Sequence, residues 1–450
     1  MSDWESEIRA IAQPAIARSK AIASLEVGRG ILRDAGDIIR RDFDGTNVVV
    51  FADEAGFAAA GPAFVASAER AGFAVRAHVI PARPRPKASA ELSESFEPLI
   101  ATDTIPVALG SGVINDLVKL AAFRRDRPYC VVATAASMDG YASAGAPLSK
   151  NGFKMTIAAR CPRSIIADLD VIAAAPAEMA GWGYGDLAGK IPAGADWIIA
   201  DALGIEPLDP NVWPLVQGRL GDWLGDPSGV RAGDFAAVAK LFAGLVMGGL
   251  AMEFHGSSRP ASGAEHQIAH MWEMQGLTFA GERVSHGACV GVGTVTVLSL
   301  YQWLLAQDLS ALDIGRAVNA ARDLDAKYAE IDRLIPASRI AERARAETAA
   351  KHVDGNALGA RLMRLVKGWP ELKRRLATQV VPPWEMAEWL KAAGAPVSAA
   401  DIGVAPADFE TTVRAARFLR SRYTIFDLLD ETGLLDAALH DVGIAGTGQG

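Results

Sequence analysis

Cysteine is scarce in this chain. Cys130, Cys161 and Cys289 are the whole complement of a 450-residue sequence, at no spacing that pairs metal-binding thiols. That excludes a disulfide scaffold and points to a reducing compartment. Long runs of one charge are also missing. The net charge is −8 with no extended basic stretch, so a polyanion such as DNA is not an expected partner. The segment Met1–Gln13 is acidic early and lacks an apolar stretch of signal-peptide length. The most apolar stretch, Cys289–Leu305, is broken by glycines and Gln302 and reads as too short to span a bilayer. A cytoplasmic protein with no stable membrane insertion is expected. Internal repeats and low-complexity tracts are lacking too. What remains is globular: 50% of residues are hydrophobic and 22% charged, in a chain longer than one core absorbs.

The first third alternates short apolar runs with helical spacing. Strands are expected at Asn47–Ala52, Phe73–Ile80, Ile105–Leu109 and Tyr129–Thr134, with helices at Glu54–Gly72 and Asn115–Phe123. This alternation predicts a parallel, Rossmann-like sheet covered by helices. From about Pro176 helical spacing dominates, as in Asp234–Phe254, Cys289–Ala306 and Ala407–Leu435. The expected division is an α/β dinucleotide-binding domain over residues 1–175 and a helical metal- and substrate-binding domain over 176–450. The boundary is set after a last strand-like run, Asp168–Pro176. Ala82–Lys87 reads as a proline-rich loop and the tail Gly446–Gly450 as frayed.

Four places carry chemistry. The first is the turn Gly110–Ser111–Gly112 running into Val113, Ile114, Asn115 and Asp116. Glycines there let a diphosphate approach the backbone, and the free N–H groups of a helix start favour anionic oxygen. The pattern lacks the third glycine of the dinucleotide fingerprint and the ending of a P-loop, so a plain strand–helix turn explains it equally well. The second is Asp53, which suits a ribose hydroxyl, although taken alone it reads more readily as a helix N-cap or turn aspartate. The third is the hydroxyl-rich segment Thr134–Ser143, containing Ala135, Ala136, Ser137, Asp139 and Ser143; turn chemistry accounts for it as readily as ligand binding.

The fourth is the strongest. His266 and His270 fall one helical turn apart, and His286 follows closely, so three of only seven histidines crowd into a short span. Asp186 offers a carboxylate at the start of the helical half, where spacing alone leaves it equally explained by an exposed pair with Lys190. Metallopeptidase chemistry is disfavoured, because Gln267 stands where a general-base glutamate would follow the first histidine.

Together the segments Val48–Gly61, Ala108–Ala122, Thr134–Ser143, Gly183–Lys190, Ser257–Met274, Ser285–Thr294 and Ser421–Asp436 resemble the sn-glycerol-1-phosphate dehydrogenase family. That family sits among the glycerol dehydrogenases, iron-containing alcohol dehydrogenases and dehydroquinate synthases, and the long helical C-terminus looks more like its bacterial branch. The resemblance implies a dehydroquinate synthase-like fold and reduction of dihydroxyacetone phosphate to sn-glycerol-1-phosphate. It implies NAD(H) or NADP(H), one divalent ion (zinc, nickel or iron) and a homodimer or larger homo-oligomer. Matched by motif, Asp186, His266 and His286 are the metal ligands. Asp139, Asp186 and His270 face the substrate, with Asp139 and His270 catalytic. Asp53, Gly110–Asp116, Thr134–Ser137 and Ser143 face the cofactor. Ala133 departs from a proline common in relatives, without removing a chemical group. Arg259 and Lys154 are phosphate candidates on charge grounds alone. Other readings are a glycerol or secondary-alcohol dehydrogenase, a cyclase on the same fold, or a binding protein without catalysis.

Overall fold

A computed structural model describes residues 3–150, 153–336 and 338–444. The expected frayed tail, Gly446–Gly450, lies outside them. Chain packing divides the molecule into two compact units, neither of them a continuous stretch of sequence. The first comprises Met1–Leu187, Gly218–Ser257 and Ala392–Ala395; the second comprises Ala188–Gln217, Ser258–Lys391 and Pro396–Gly450.

The first unit is built on six parallel strands: β1 (Ser24–Gly28), β2 (Asn47–Asp53), β3 (Ala74–Ile80), β4 (Thr104–Gly110), β5 (Cys130–Ala133) and, after a hairpin, β8 (Ser164–Asp168). Their order is β1-β8-β5-β4-β2-β3. The hairpin pairs β6 (Gly145–Lys150) antiparallel with β7 (Phe153–Ala158). Strands β2, β4 and β5 are apolar without alternation because helices cover both sheet faces. On one face Val48, Val50, Ala52, Val107 and Leu109 meet Ile39 and Phe43 from the helix Ala35–Asp42, and Ala60, Phe64 and Ala68 from the helix Glu54–Arg70. On the other, Phe51 stacks on Phe96 of the helix Ala90–Phe96, ring centroids 4.8 Å apart.

The strand order contains a switch point. From β2 the chain crosses to β3 on one side, and from β4 it crosses to β5 on the other. The crevice at the carboxyl ends of β2 and β4 is where open α/β sheets take ligands. Asp53 ends β2 and Gly110 ends β4.

The expected last strand is corrected. The strand stops at Asp168, whose side chain accepts from the amides of Asp170, Gly30 and Leu32, and Leu169–Ile172 turns helical. Capping by that carboxylate wins over the β-branched residues that follow.

The second unit is helical, with Lys190–Ala202, Ala264–Gln275, His286–Ala306 and Gly355–Gln379 as its principal members. The helically spaced segment Ala407–Leu435 is divided among the helices Pro406–Ala416, Ile425–Glu431 and Leu435–Asp441. Thr424 and Asp427 form a reciprocal capping box that starts a new helix inside the apolar periodicity. Gly433, at φ 71°, then takes the left-handed turn that ends it. Two helices are long and apolar enough to cross a membrane, Phe235–His255 and His286–Ala306. Their most apolar windows are 78% and 72% buried in the protein, so burial, rather than the shortness expected from sequence, identifies them as core helices.

Candidate active site

In the first unit, every sequence-predicted cofactor residue lies at the carboxyl edge of the sheet or in the loop that follows β5. The two helix starts there differ. Asp53 accepts the amide of Gly56 at 2.6 Å and caps its helix. Ser111 makes no side-chain cap to the helix Gly112–Arg124, so that helix presents its first-turn N–H groups at the strand end. The glycines at this turn are sterically required. A Cβ on Gly110 would lie 2.8 Å from the Ile114 side chain, and one on Gly112 would lie 2.5 Å from Met138.

Several predicted cofactor residues hold the loop itself. Asn115 donates to the Gly140 carbonyl at 3.3 Å and accepts the Tyr129 hydroxyl at 3.0 Å. Beneath them lies Lys119, fully buried and missed by sequence reading. Its Nζ donates to Asp116 (3.1 Å), the Gly140 carbonyl (2.7 Å), Ser143 Oγ (3.2 Å) and the Gly145 carbonyl (3.0 Å). Burial pushes the Asp116 carboxyl up, against the opposing pull of Lys119. The side chains of Ile114, Asn115, Asp116, Thr134, Ala135, Ala136 and Ser143 are buried, while Asp53, Ser111, Val113 and Ser137 keep exposed surface. The spacing of Asp116 and Lys119, three residues apart, was the signal available for Lys119.

Asp139 and Asp186 are brought together. The Asp139 amide donates to Asp186 Oδ2 at 3.0 Å, joining the loop to the helix Ala177–Ala188. Two glycines permit this seating: a Cβ on Gly183 would lie 1.9 Å from the Ala136 carbonyl oxygen, and one on Gly249 would lie 2.7 Å from that of Asp139. Asp186 and Lys190 are both fully buried and belong to separate helices, which removes the exposed-pair reading.

In the second unit the three histidines converge. Gly276 ends their first helix in a left-handed turn, and a short hairpin of Thr278–Phe279 with Glu282–Arg283 leads back to Ser285, which caps the helix opening at His286. Ring centroids lie 6.1 Å apart for His266 and His270, 5.3 Å for His266 and His286, and 5.7 Å for His270 and His286. Two carboxylates join them, neither assigned from sequence. Glu265 Oε1 accepts from His266 Nδ1 at 2.7 Å, and Glu273 lies 3.3 Å from His286 Nδ1. The ligand atoms of His270, Glu273 and His286 lie within 4.8 Å of one another. Glu273 follows His270 by three residues, so the helical spacing that singled out the histidines also pointed to it. Imidazole nitrogens beside carboxylate oxygens form a donor set suited to zinc, nickel or iron.

Behind Glu265 stands Asp196. Burial, and then the Glu265 charge, push its carboxyl up to about 7. It accepts from the amides of Ala264 (2.7 Å) and Ile425 (2.8 Å) and from the Tyr301 hydroxyl (2.6 Å). The phosphate candidate Arg259 is fully buried and committed to the interior. It donates to the carbonyls of Tyr423 at 3.0 Å and Asp196 at 3.1 Å, and pairs with Glu206 at 3.1 Å. Lys154 lies on β7 in the first unit, where its charge favours ionised Asp116.

Residues 26–176 match the family model described as iron-containing alcohol dehydrogenase. A glycerol-1-phosphate dehydrogenase [NAD(P)+] from Bacillus subtilis is 30% identical over 368 residues, covering 81% of this chain and 80% of that protein. The chain belongs to the glycerol-1-phosphate dehydrogenase family. It is therefore an oxidoreductase. Another glycerol-1-phosphate dehydrogenase [NAD(P)+], from Halalkalibacterium halodurans, is 37% identical over 196 residues, 44% of this chain; that match spans about half of the relative, 49% of its length. In fold, this family member is similar to the crystal structure of a probable glycerol dehydrogenase from Sinorhizobium meliloti 1021. The TM-score is 0.60, at 16% identity over 94% of this chain and 97% of the other. The architecture is thus dehydroquinate synthase-like, a parallel-sheet half and a helical half.

Proposed function

We propose that this enzyme reduces dihydroxyacetone phosphate to sn-glycerol-1-phosphate with NADH or NADPH, using one divalent ion held by Asp186, His266 and His286. The observation that carries the reading is the convergence of His266, His270 and His286 with two carboxylates among them. When bound, the ion supplies Lewis acidity toward the ketone oxygen, and the nicotinamide supplies the hydride. The chain's own residues do the rest. The helix starting at Gly112 offers backbone N–H groups to the cofactor diphosphate. The Asp139 amide donates to Asp186 Oδ2 and so fixes the orientation of that carboxylate. Asp139 and His270 orient the substrate hydroxyls and pass the proton that the reduced carbonyl takes up. On this reading residues 1–175 serve the dinucleotide and 176–450 serve metal and substrate. Three buried cysteines that form no disulfide are consistent with a cytoplasmic setting.

The test is His266→Ala, which should abolish both metal retention and turnover. Full activity in a variant that retains no metal would end the proposal. A companion screen of trioses with NADH and added Zn2+, Ni2+ or Fe2+ should favour dihydroxyacetone phosphate. A preference for free dihydroxyacetone or glycerol would move the enzyme to glycerol dehydrogenase chemistry.

A further inference from the structure

Glu265 is fully buried beside a histidine, an expensive position for a carboxylate unless something needs it there. Its Oε1 accepts two hydrogen bonds of 2.7 Å, from the Gly263 amide and from His266 Nδ1. A carboxylate accepts only, so the proton of neutral His266 must sit on Nδ1 and the lone pair on Nε2. The seat is made tight by glycines. A Cβ on Gly293, in the helix His286–Ala306, would lie 2.6 Å from the Glu265 carbonyl oxygen. One on Gly263 would lie 2.5 Å from Asp196 Oδ2 and 2.9 Å from Glu265 Oε2. Asp196 fixes the start of Glu265's own helix, Ala264–Gln275, through the Ala264 amide and is itself held by Tyr301 and Ile425. A first-turn glutamate serving only the helix dipole would need neither this burial nor the bond to the imidazole.

We infer that Glu265 is the positioning residue of the metal centre: its carboxylate fixes the tautomer and ring orientation of His266, so that Nε2 is the ligand atom, and raises the basicity of that nitrogen. This rests on the assignment of His266 as a metal ligand. Carboxylates that accept from the far nitrogen of a ligating histidine act on affinity in this way.

Zn2+ is titrated against a chromophoric chelator into full-length wild-type, Glu265→Gln, Glu265→Ala and His266→Ala proteins, and visible bands are recorded for the Co2+-loaded forms. Glu265→Ala should bind Zn2+ roughly 10- to 100-fold more weakly, with Glu265→Gln, which keeps volume but loses charge, falling between it and wild type. The Co2+ bands of both should shift, which a purely structural role would not produce. If Glu265→Ala does not fold, Glu265→Gln decides alone. Zn2+ affinity within twofold of wild type with unchanged Co2+ bands in Glu265→Gln overturns the inference. When His266→Ala has nevertheless lost Zn2+, that result leaves the metal assignment standing. Retention of Zn2+ by His266→Ala sinks the metal assignment and this inference together.

Discussion

At the scale of single residues, two carboxylates do double service. Asp53 caps a helix, so removing it changes stability as well as any contact with a ribose. Asn caps about as well as Asp. Asp53→Asn should therefore keep the melting temperature while weakening NADH roughly tenfold, the scale of one lost charge-assisted hydrogen bond. NADPH, with its own negative 2′-phosphate, should bind no worse; equal losses for both cofactors would remove Asp53 from the ribose. Asp196 gives a pH signature. Its folded-state carboxyl is raised to about 7 from 3.8. The folded chain thus holds that proton more tightly than the unfolded one. The contribution to stability is complete below about pH 4 and is lost as pH climbs to about 7. Urea midpoints measured across that window should fall, and Asp196→Asn should flatten the fall; an unchanged slope in the variant would show that Asp196 is ionised throughout. The Asp53 cap and the histidine spacing stood out in the sequence, whereas Asp196 did not. Glu265 did not stand out there, because its partner is its own neighbour, His266, and a bond between adjacent side chains leaves no periodic mark.

Elements depend on what crosses between them. Lys119 ties its helix to both ends of the segment Gly140–Gly145. Lys119→Met keeps most of the volume but removes the buried counter-charge of Asp116 and one donor from each of the Gly140 and Gly145 carbonyls. A cost of about 3–5 kcal/mol is expected, read as a clear drop in thermal midpoint. A midpoint within a degree or two of wild type would mean that water replaces the ammonium. Gly183→Ala puts a carbon 1.9 Å from the Ala136 carbonyl. The loop must move, so NADH affinity should fall several-fold while far-UV circular dichroism holds; an unchanged affinity would detach this loop from the cofactor. Strands β2, β4 and β5 were legible in advance because fully buried parallel strands write unbroken apolar runs. β1 and the β6–β7 hairpin were not: Ser24–Gly28 mixes polar and apolar residues, and in Gly145–Lys150 only Ala146 and Leu148 mark the buried side of a short run that holds a glycine and a proline. The C-terminal breaks were hidden for a related reason, since Thr424 and Gly433 act through backbone geometry that an apolar pattern does not record.

Across the whole molecule, the three thiols are all buried, and burial raises Cys130 and Cys161 well above the ordinary thiol range, Cys161 to about 12. Native protein should react with Ellman's reagent only over hours, and denatured protein should release three equivalents within minutes. A fast equivalent in the native state would reveal an opening that exposes one of them. The discontinuous make-up of the first unit has a different consequence. Its sheet is encoded before residue 170, yet it is completed by Gly218–Ser257 and by Ala392–Ala395. During synthesis, that half waits for nearly nine-tenths of the chain to leave the ribosome before its last piece arrives. A messenger cut short after the sheet would yield a nascent product with an apolar flank uncovered, a natural client for chaperones rather than a free-standing folded fragment.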